Sequence, residues 1–529
     1  MDIDRLIMNT FKYGEDYLSS SIAVAIAKGA QHGVLSSDTI DKINQSAQYV
    51  QDIVDSGKVV YGINTGFGPL CTTLISPQDT KKLQENILKS HAVGVGEPID
   101  KELSKLMLIL KVHALAKGFS GVQLSTVERI IWHIQEDVIP VVPKQGSVGA
   151  SGDLAPLSHL FLPLIGLGKV WKDGQVVSTS SVLQEKGLEP IHLGAKEGLA
   201  LINGTQFMAA HGVKAVVEMN RLMNNADLIA TLMIEGLNGS IKPFFSELHQ
   251  LRPYQGNSFV ASTIHNLLKG SAILESHKNC SRVQDPYSLR CIPQVHGASR
   301  NAWLHFRDTI ELEINSVTDN PIIINNELTI SGGSFHGQPI ALPLDYATLA
   351  VSELGNISDR RVYLSLEGET NGVPKLLMKT TGLNSGFMIL QYSTAAIASE
   401  NKGLCFPASA DSIPTSLGQE DHVSMGSISG RKLLQVLDNV DKILSIEMLC
   451  AAQAKDFHNP LASTAVIEAI HQHIRKTIPH IEEDQPMQEI LDNALAIIKS
   501  GELIEVAKQA AAEHQVAYFG KGEDYFENF

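Results

Sequence analysis

The sequence predicts a mainly α-helical protein with a bundle of long helices at its core. Apolar residues recur at three- and four-residue steps over several long stretches, whereas runs with the alternation of a β-strand are few. The stretch 207–235 is apolar around much of its circumference, which indicates a helix buried on nearly all sides. The stretches 343–360 and 432–452 repeat this pattern, so a long-helix bundle is the simplest architecture.

Shorter helices are expected before the bundle. The spacing of apolar residues predicts an amphipathic helix over 101–117, ended by Gly118. Ser125 and Glu128 have the spacing of a capping box, in which the hydroxyl and the carboxylate each cover a free backbone amide. We therefore expect a second helix to begin there, ahead of the apolar run 130–132.

Strands are expected at the margins, as two small hairpins over 169–177 and 322–330. We find no fixed-period repeat and no Gly/Ser-rich linker in the sequence, so the division of the chain follows the helical signal alone. It predicts a mixed N-terminal region over 1–200, a central long-helix bundle over 201–460 and a C-terminal helical region over 461–529.

Composition excludes several classes of protein. The 529 residues carry 42 Lys and Arg against 57 Asp and Glu, and a net charge of −15 disfavours binding to nucleic acid through bulk charge. Hydrophobic residues make up 43% and charged residues 19%, which is too apolar and too weakly charged for a disordered chain.

Cysteine usage and the N-terminus predict a soluble cytoplasmic protein. The number of cysteines is odd, and no two have the spacing of a redox or zinc motif: Cys71, Cys280, Cys291, Cys405 and Cys450. The first residues are acidic where a signal peptide is basic, and no apolar run reaches the length of a membrane span. No membrane partner is expected.

Small residues are densest in KQGSVGASGDLAPLSHL, residues 144–160, which suits a constrained turn rather than a helix or strand. A phosphate-binding loop is excluded because Asp153, rather than Lys, follows Gly152. A hydrolase nucleophile elbow needs a glycine two residues before and two residues after its serine. It is excluded because Asp153 stands two residues after Ser151.

The tripeptide Ala150-Ser151-Gly152 offers a different chemistry. In a tight turn, the amide nitrogen of Gly152 can attack the carbonyl carbon of Ala150, and small side chains permit that approach. Loss of two waters then leaves an imidazolone ring with a methylidene group from Ser151, an electrophile that no unmodified amino acid provides. The alternative is an ordinary glycine turn between helices.

Several sequence blocks resemble the aromatic amino acid ammonia-lyases, the family that builds this prosthetic group autocatalytically. The blocks occur in the family's order and span most of the chain: VYGINTGFGP (60–69), SHAVGVG (90–96), GSVGASGDLAPLSH (146–159), LINGTQ (201–206), QDPYSLRC (284–291), FHGQP (335–339) and QEDHVSM (419–425). The resemblance implies a 4-methylidene-imidazole-5-one group (MIO) formed from Ala150, Ser151 and Gly152, and no metal or diffusible cofactor.

By the same resemblance, Tyr61 lies on a lid loop that excludes water and acts as the general base. Asn203 is expected to hydrogen-bond the imidazolone oxygen, and Asp153 to assist ring formation. The plainer alternatives are a packed aromatic for Tyr61, a helix cap for Asn203 and a solvated turn carboxylate for Asp153.

The block QDPYSLRC is expected to bind the substrate. Arg290 presents a fork suited to a carboxylate, and Tyr287 would share its face if the segment is helical. Resemblance assigns the carboxylate to Arg290, an assisting role to Tyr287 and a lining role to Gln284. Phe335 is expected to pack beside the ring. A structural salt bridge for Arg290 and a core position for Phe335 are the alternatives.

The choice of amino acid is read from two positions. Ser90-His91 resembles the histidine-specific members of the family, and an imidazole substrate needs polar partners such as His91. Glu420 supports the same choice, because phenylalanine-specific members commonly have Gln there. The alternatives are a satisfied core histidine for His91 and a partner of His422 for Glu420.

The predicted reaction is the conversion of L-histidine to trans-urocanate and ammonia, the first step of histidine degradation, in a homotetramer whose active sites draw residues from three subunits. The tetramer follows from resemblance alone. Gly418 and Gln338 depart from the Asn and Glu of many histidine-specific members. A tyrosine or phenylalanine ammonia-lyase, an aminomutase, and a noncatalytic helical scaffold that never forms the ring remain open.

Overall fold

The computed structural model describes residues 10–66, 68, 75–278, 282–368, 372–518 and 526. Cys71 and Cys280 and part of the predicted lid loop lie outside these residues. The longest described helices are Gln206–Gly236 and Gly426–Asp456, each of 31 residues, Gln338–Leu366 of 29 residues and Ile292–Ile314 of 23 residues. The predicted mainly α class and the long helices are thus confirmed.

The other described elements have 20 residues or fewer. The remaining α-helices are Ser20–Ala27, Ser37–Ser56, Pro77–His91, Lys101–Leu115, Leu124–Gln135, Leu154–Phe161, Thr179–Glu185, Glu197–Ile202, Ser246–Gln250, Gln255–Leu268, Ala272–Ser276, Tyr287–Arg290, Met388–Leu404, Ala465–Thr477, Gln488–Ser500 and Glu502–Glu513. Single 3-10 turns occur at Leu162–Ile165, Lys242–Phe244, Lys375–Leu377, Ala408–Ala410 and Ser416–Gly418.

Strands form small marginal sheets, as predicted. Lys169–Lys172 pairs antiparallel with Gln175–Ser178 and, on its other side, with Ile139–Pro140. Ile322–Ile323 pairs antiparallel with Thr329–Ile330. Both predicted hairpins are therefore confirmed. The further strands form two more pairs, parallel between Thr10–Lys12 and His32–Val34 and antiparallel between Val95–Pro98 and Pro143–Gln145.

The described chain divides into two compact units. The first unit comprises residues 1–216, 307–345 and 407–431, and the second comprises 217–306, 346–406 and 432–529. Four of the five boundaries fall inside the long helices, because each of these helices contributes residues to both units, and the fifth follows the helix Met388–Leu404. The division into 1–200, 201–460 and 461–529 stays a prediction.

In the first unit, the helix Lys101–Leu115 is buried on every side. Each residue from Leu103 to Leu115 is buried, so the predicted amphipathic pattern is wrong. The polar side chains of this helix can be buried because they form hydrogen bonds within the protein. For example, His113 Nδ1 accepts a hydrogen bond from the Gly14 amide at 3.1 Å. Burial lowers the pKa of His113 to about 4, so its imidazole is neutral at pH 7.

The predicted capping box at Ser125 and Glu128 is also wrong. The helix begins earlier, at Leu124, with Gln123 at the cap position and no side-chain cap from that residue. Glu197 takes over the capping, because its carboxylate accepts from the Gln123 amide at 2.9 Å and from the Thr126 hydroxyl at 2.7 Å. A distant carboxylate therefore does the work expected of a local one.

In the second unit, a buried network of ionisable side chains connects the four long helices. Asp227 accepts from His296 Nδ1 at 2.7 Å and from Arg300 at 2.6 Å. Arg361 pairs with Glu447, with one contact at 2.9 Å, and its other nitrogen lies 3.4 Å from His296 Nε2. Burial alone would raise the pKa of Asp227, but Arg300 and His296 hold it below its ordinary value.

Among the described residues, no helix is both long and apolar enough to cross a membrane.

Candidate active site

The turn around Ala150-Ser151-Gly152 lies in the first unit and is clamped by the segment 424–427. The Met425 amide donates to the Val148 carbonyl at 2.9 Å, and the Ser427 hydroxyl donates to the Ser147 carbonyl at 2.6 Å. Gly149 has φ +69° and touches the same segment, since a Cβ there would lie 2.2 Å from the Ser424 hydroxyl oxygen. The turn is therefore compressed from one side by backbone and hydroxyl contacts.

Gly204 presses on the turn from another direction. Gly152 has φ +72°, and a Cβ on it would lie 2.0 Å from the carbonyl oxygen of Gly204. The Asp153 amide donates to that carbonyl at 2.8 Å, and the Gly204 amide donates to the Ser151 carbonyl at 3.4 Å. Glycine is needed at position 152 because the backbones approach too closely for a side chain there. Glycine suits position 204 because its φ is +132° and a Cβ would lie 2.5 Å from Gln206 Oε1.

Asn203 contributes a second donor to the Ser151 carbonyl oxygen. Its Nδ2 lies 3.3 Å from that oxygen. Its Oδ1 is buried and has no hydrogen-bond partner among the described residues. Asn203 follows the helix Glu197–Ile202 as its C-terminal cap residue and precedes Gln206–Gly236. The side chain thus reaches the turn from the gap between two helices.

Lys111 holds the backbone of Asn203. Its ammonium group is buried and donates to the Asn203 carbonyl at 2.7 Å. Burial lowers the pKa of Lys111 to about 7, with Asp319 opposing and the nearby Lys196 adding to that shift. Sequence reasoning missed Lys111, since a lysine inside an apolar helix carries no motif of its own.

Asp153 is fully buried, which excludes the alternative of a solvated turn carboxylate. Its Oδ1 accepts from the Ser147 hydroxyl at 2.8 Å and its Oδ2 accepts from the Met208 amide at 3.0 Å. Burial raises the pKa of Asp153 to about 7, although these hydrogen bonds oppose the shift. The group can thus hold or release a proton near neutral pH.

Glu420 faces the hydroxyl of the tripeptide. Ser151 Oγ donates to Glu420 Oε1 at 2.7 Å. The other carboxylate oxygen, Oε2, accepts from the Thr415 and Ser416 hydroxyls, each at 2.9 Å. The partners of the two carboxylate oxygens are thus Ser151, Thr415 and Ser416 rather than His422, which was the alternative. Thr415 and Ser416 were missed because hydroxyls in an irregular loop leave no sequence pattern.

His91 and Phe335 also belong to the first unit. His91 ends the helix Pro77–His91, and its Nδ1 lies 2.9 Å from the Ser90 hydroxyl. Burial lowers the pKa of His91, and a hydrogen bond to the Ile87 backbone and the charge of Glu420 oppose this shift. Phe335 is half-buried, two residues before Gly337, whose own Cβ position is filled by Met208.

Tyr61 lies in the described part of the glycine-rich loop. Its hydroxyl accepts a hydrogen bond from the Gly68 amide at 3.4 Å. Gly62 has φ +74° and packs against Leu199, where a Cβ would lie 2.5 Å from the leucine methyl. The loop therefore rests on the helix Glu197–Ile202, which leads directly to Asn203.

Gln284, Tyr287 and Arg290 belong to the second unit. Tyr287 and Arg290 are on one short helix, Tyr287–Arg290, which is the condition under which the sequence places them on one face, and the guanidinium carbon lies 4.5 Å from the tyrosine ring centre. Arg290 Nε donates to the Asp285 carbonyl at 2.9 Å. Gln284 is exposed and Tyr287 is 70% exposed, whereas Asp285 between them is buried.

The two departures from the family pattern have plain structural positions. Gly418, with φ +85°, lies in the loop that carries Glu420, directly after two residues in the same left-handed region, Ser416 and Leu417. Gln338 begins the helix Gln338–Leu366, and its amide donates to His336 Nδ1 at 3.2 Å.

Comparison with known proteins identifies the family. The model of the aromatic amino acid lyases matches residues 18–476. A histidine ammonia-lyase of Natranaerobius thermophilus is 42% identical over 94% of this chain and 99% of its own length. One of Streptococcus pyogenes serotype M6 is 43% identical over 92% of this chain and 95% of its own.

Solved structures of the same family have the fold of this chain. The crystal structure of a histidine ammonia-lyase from Trypanosoma cruzi matches with a TM-score of 0.87 and 38% identity, covering 95% of both chains. A tyrosine aminomutase from Streptomyces globisporus matches with a TM-score of 0.90 and 32% identity, covering 95% of this chain and 99% of its own. The chain therefore belongs to the aromatic amino acid lyase family. It is an enzyme of the ammonia-lyase class, which breaks a carbon–nitrogen bond.

The residues of the turn fit the MIO group that this family uses. In the ring, the Ser151 carbonyl oxygen becomes the imidazolone oxygen. Asn203 Nδ2 and the Gly204 amide both donate hydrogen bonds to this oxygen. The space beside Gly152 is closed by Gly204, so the turn is held compact. Within the described part of the chain, we find no cluster of three or more metal-ligating side chains.

Proposed function

We propose that this enzyme converts L-histidine to trans-urocanate and ammonia, and so opens histidine degradation. The observation that carries the proposal is the carboxylate of Glu420, whose Oε1 accepts from the Ser151 hydroxyl at 2.7 Å. The charge of Glu420 also acts on His91, where it opposes the lowering of the pKa by burial. A phenyl ring would leave such groups without partners and a phenol offers them one hydroxyl, whereas an imidazole offers two ring nitrogens. The histidine ammonia-lyases among the relatives support the same substrate.

The prosthetic group is proposed to be MIO, formed from Ala150, Ser151 and Gly152. When formed, it supplies an electrophilic methylidene carbon for the amino group of the substrate. Asn203 and the Gly204 amide stabilise negative charge on the carbonyl oxygen of Ser151. Asp153, with its pKa near neutrality, assists ring formation by holding and releasing a proton.

The other residues bind the substrate and move its protons. Tyr61 acts as the general base for the β-hydrogen, on a loop that excludes water. Arg290 binds the substrate carboxylate through its guanidinium fork. Tyr287 assists beside it, and Gln284 lines the site. Phe335 packs beside the ring, and Glu420 contacts the imidazole or takes part in proton transfer.

A homotetramer with shared active sites is proposed for the assembly. The long helix Gln338–Leu366 carries exposed apolar side chains at helical spacing, with Leu342 56%, Tyr346 49% and Leu349 46% exposed. Apolar faces of this kind are commonly covered in oligomers. Light scattering of the purified protein tests the proposal: a mass of four chains is expected, and a monomer that turns over histidine would contradict shared sites.

A cytoplasmic location is proposed because the described cysteines Cys291, Cys405 and Cys450 are free thiols, as a reducing compartment keeps them. Fractionation of the source cells tests it, and activity confined to a secreted or membrane fraction would contradict it.

The deciding experiment offers the purified enzyme L-histidine, L-tyrosine and L-phenylalanine in separate reactions and follows the unsaturated acids by ultraviolet absorbance. Urocanate from histidine, with little coumarate or cinnamate, is expected. Ser151→Ala is the matched control and should be inactive. Coumarate or cinnamate without urocanate would overturn the substrate assignment.

An aminomutase is the second candidate, favoured by the structural match to tyrosine aminomutase at a TM-score of 0.90. Chromatography of the same reactions for β-amino acids tests it. A β-amino acid as the main product would replace the lyase assignment.

A further inference from the structure

The contact between Ser151 and Glu420 involves the hydroxyl that must leave when the ring matures. The serine Oγ lies 2.7 Å from Glu420 Oε1. The Cα of Ser151 is two bonds from that oxygen, so the carboxylate contacts the leaving hydroxyl and lies near the C–H bond that must break. An acid or base must lie within hydrogen-bond reach of the group that it serves, and Glu420 meets this condition for the Ser151 hydroxyl.

The loop that carries Glu420 is built to aim this carboxylate. The Thr415 and Ser416 hydroxyls both donate to Oε2, which leaves Oε1 directed at Ser151. The Thr415 backbone amide also donates to the Glu420 carbonyl at 2.9 Å. Such a set of contacts fixes the rotation of the carboxylate about its last bond.

The loop accepts backbone strain to achieve this. Ser416 and Leu417 have φ +51° and +56°, in the left-handed region that costs a residue with a Cβ about 1 kcal/mol or more. Leu417 is 96% exposed, so packing of its side chain does not explain the conformation. The tight turn instead brings Thr415, Ser416 and Glu420 together, and backbone strain of this kind is concentrated at functional sites.

We propose that Glu420, oriented by Thr415 and Ser416, dehydrates Ser151 during formation of the prosthetic group. This role is additional to its proposed part with substrate, and it rests on the proposed function. Thr415 and Ser416 are positioning residues, because they act through Glu420. Glu420 is the catalytic residue of the step, because it touches the reacting atoms.

The step balances without any other reactant. The Glu420 carboxylate takes the proton from Ser151 Cα, and the electron pair of that C–H bond becomes the second bond between Cα and Cβ. The Cβ–Oγ bond breaks, and its electron pair stays on the oxygen. Glu420 returns its proton to the hydroxyl, which leaves as water, and the carboxylate is restored. The first water is lost separately, when the Gly152 nitrogen closes onto the Ala150 carbonyl carbon.

Intact mass of the full-length purified protein tests the proposal. The wild type is expected to weigh less than its translated sequence by two waters. Glu420→Gln keeps the size and shape of the side chain but removes the base, so we expect it to retain the serine water, with maturation slowed about 100-fold or more. Asp421→Asn, an exposed acid next along the chain, is the matched control and should lose both waters.

The outcomes separate this proposal from the proposed function. If Glu420→Gln is inactive but has lost both waters, Glu420 acts with substrate alone and the maturation role is overturned. If the wild type itself keeps both waters while converting histidine, the ring mechanism and this proposal both fall. Retention of water by Glu420→Gln, with wild-type circular dichroism, supports the proposal.

A second variant keeps the carboxylate in case Glu420→Gln does not fold. Thr415→Val with Ser416→Ala removes both orienting hydroxyls. In a time course of mass after cell-free synthesis, its serine water is expected to be lost roughly tenfold more slowly than in the wild type, and Glu420→Asp should also be slow. A time course equal to that of the wild type would overturn the positioning role.

Discussion

The carbonyl oxygen of Gly204 lies where a side chain on Gly152 would have to be, since a Cβ on Gly152 would come within 2.0 Å of it. Two segments that are far apart in sequence therefore meet backbone to backbone at the reactive tripeptide. The contact leaves no room for the turn to relax outward, which favours approach of the Gly152 nitrogen to the Ala150 carbonyl carbon.

Gly152→Ala should prevent ring formation. The added methyl group collides with backbone, which cannot rotate away, so the turn must open and the protein should keep both waters. Intact mass is the measurement. Gly174→Ala is the matched control, because Gly174 has φ +75° but nothing within 4 Å of its Cβ position, and it should lose both waters. A fully matured Gly152→Ala protein would contradict the clamp.

Asp153 should make stability fall as the pH rises from about 4 to 7. Its pKa is about 7 in the folded protein and near 3.8 in the unfolded chain, so the folded state binds more protons in this interval. Relative to Asp153→Asn, the free energy of unfolding should decline by on the order of 4 kcal/mol over this range and level off above it.

Thermal unfolding at several pH values measures this effect. Both proteins should carry Ser151→Ala, so that ring formation does not differ between them. A constant difference in melting temperature from pH 4 to 8 would show that Asp153 does not titrate in this range.

Breaking the buried pair of Arg361 and Glu447 should destabilise the second unit strongly. Both side chains are fully buried, so Glu447→Gln leaves the guanidinium without its charge partner. We expect a loss of about 3–5 kcal/mol, because an unpaired buried charge costs more than the pair gains. The double change Arg361→Met with Glu447→Leu should recover much of this loss. The test compares the calorimetric melting temperatures of the wild type, Glu447→Gln and the double variant. A double variant less stable than Glu447→Gln would contradict the prediction.

His91→Leu should weaken catalysis on histidine without unfolding the protein. His91 is partly exposed, so its truncation creates no core cavity, but an imidazole substrate loses a polar partner worth about 1–3 kcal/mol. We expect kcat/KM for histidine to fall roughly 5- to 150-fold. Steady-state kinetics and the melting temperature are both needed. Unchanged kcat/KM would remove His91 from the substrate pocket.

The sequence predicted the long helices because a helix buried on most sides has a continuous apolar pattern. It predicted the helix Lys101–Leu115 but not its full burial, because Lys105, Lys111 and His113 mimic a polar face although they are buried. It failed at Leu124–Gln135 because the carboxylate of Glu197, from a distant segment, covers the helix start. Tertiary contacts decided both cases, and no local pattern encodes them.

The candidate site was predicted in part for similar reasons. The motifs pointed to Ser151, Asn203 and Glu420, and the structure brings these three into hydrogen-bond contact. Sequence reasoning missed Thr415 and Ser416. Their role depends on the left-handed backbone conformation of Ser416. No local sequence pattern predicts that conformation for a serine.

The order of contacts around the tripeptide sets a schedule for biosynthesis. Residues 147–153 are translated early. Three of the residues that contact them, Glu420, Ser424 and Ser427, are translated much later. If the proposed ring forms only in the gripped turn, the tripeptide of a nascent chain stays an ordinary peptide until the distal portion emerges. Fragments that end before Glu420 should therefore keep both waters.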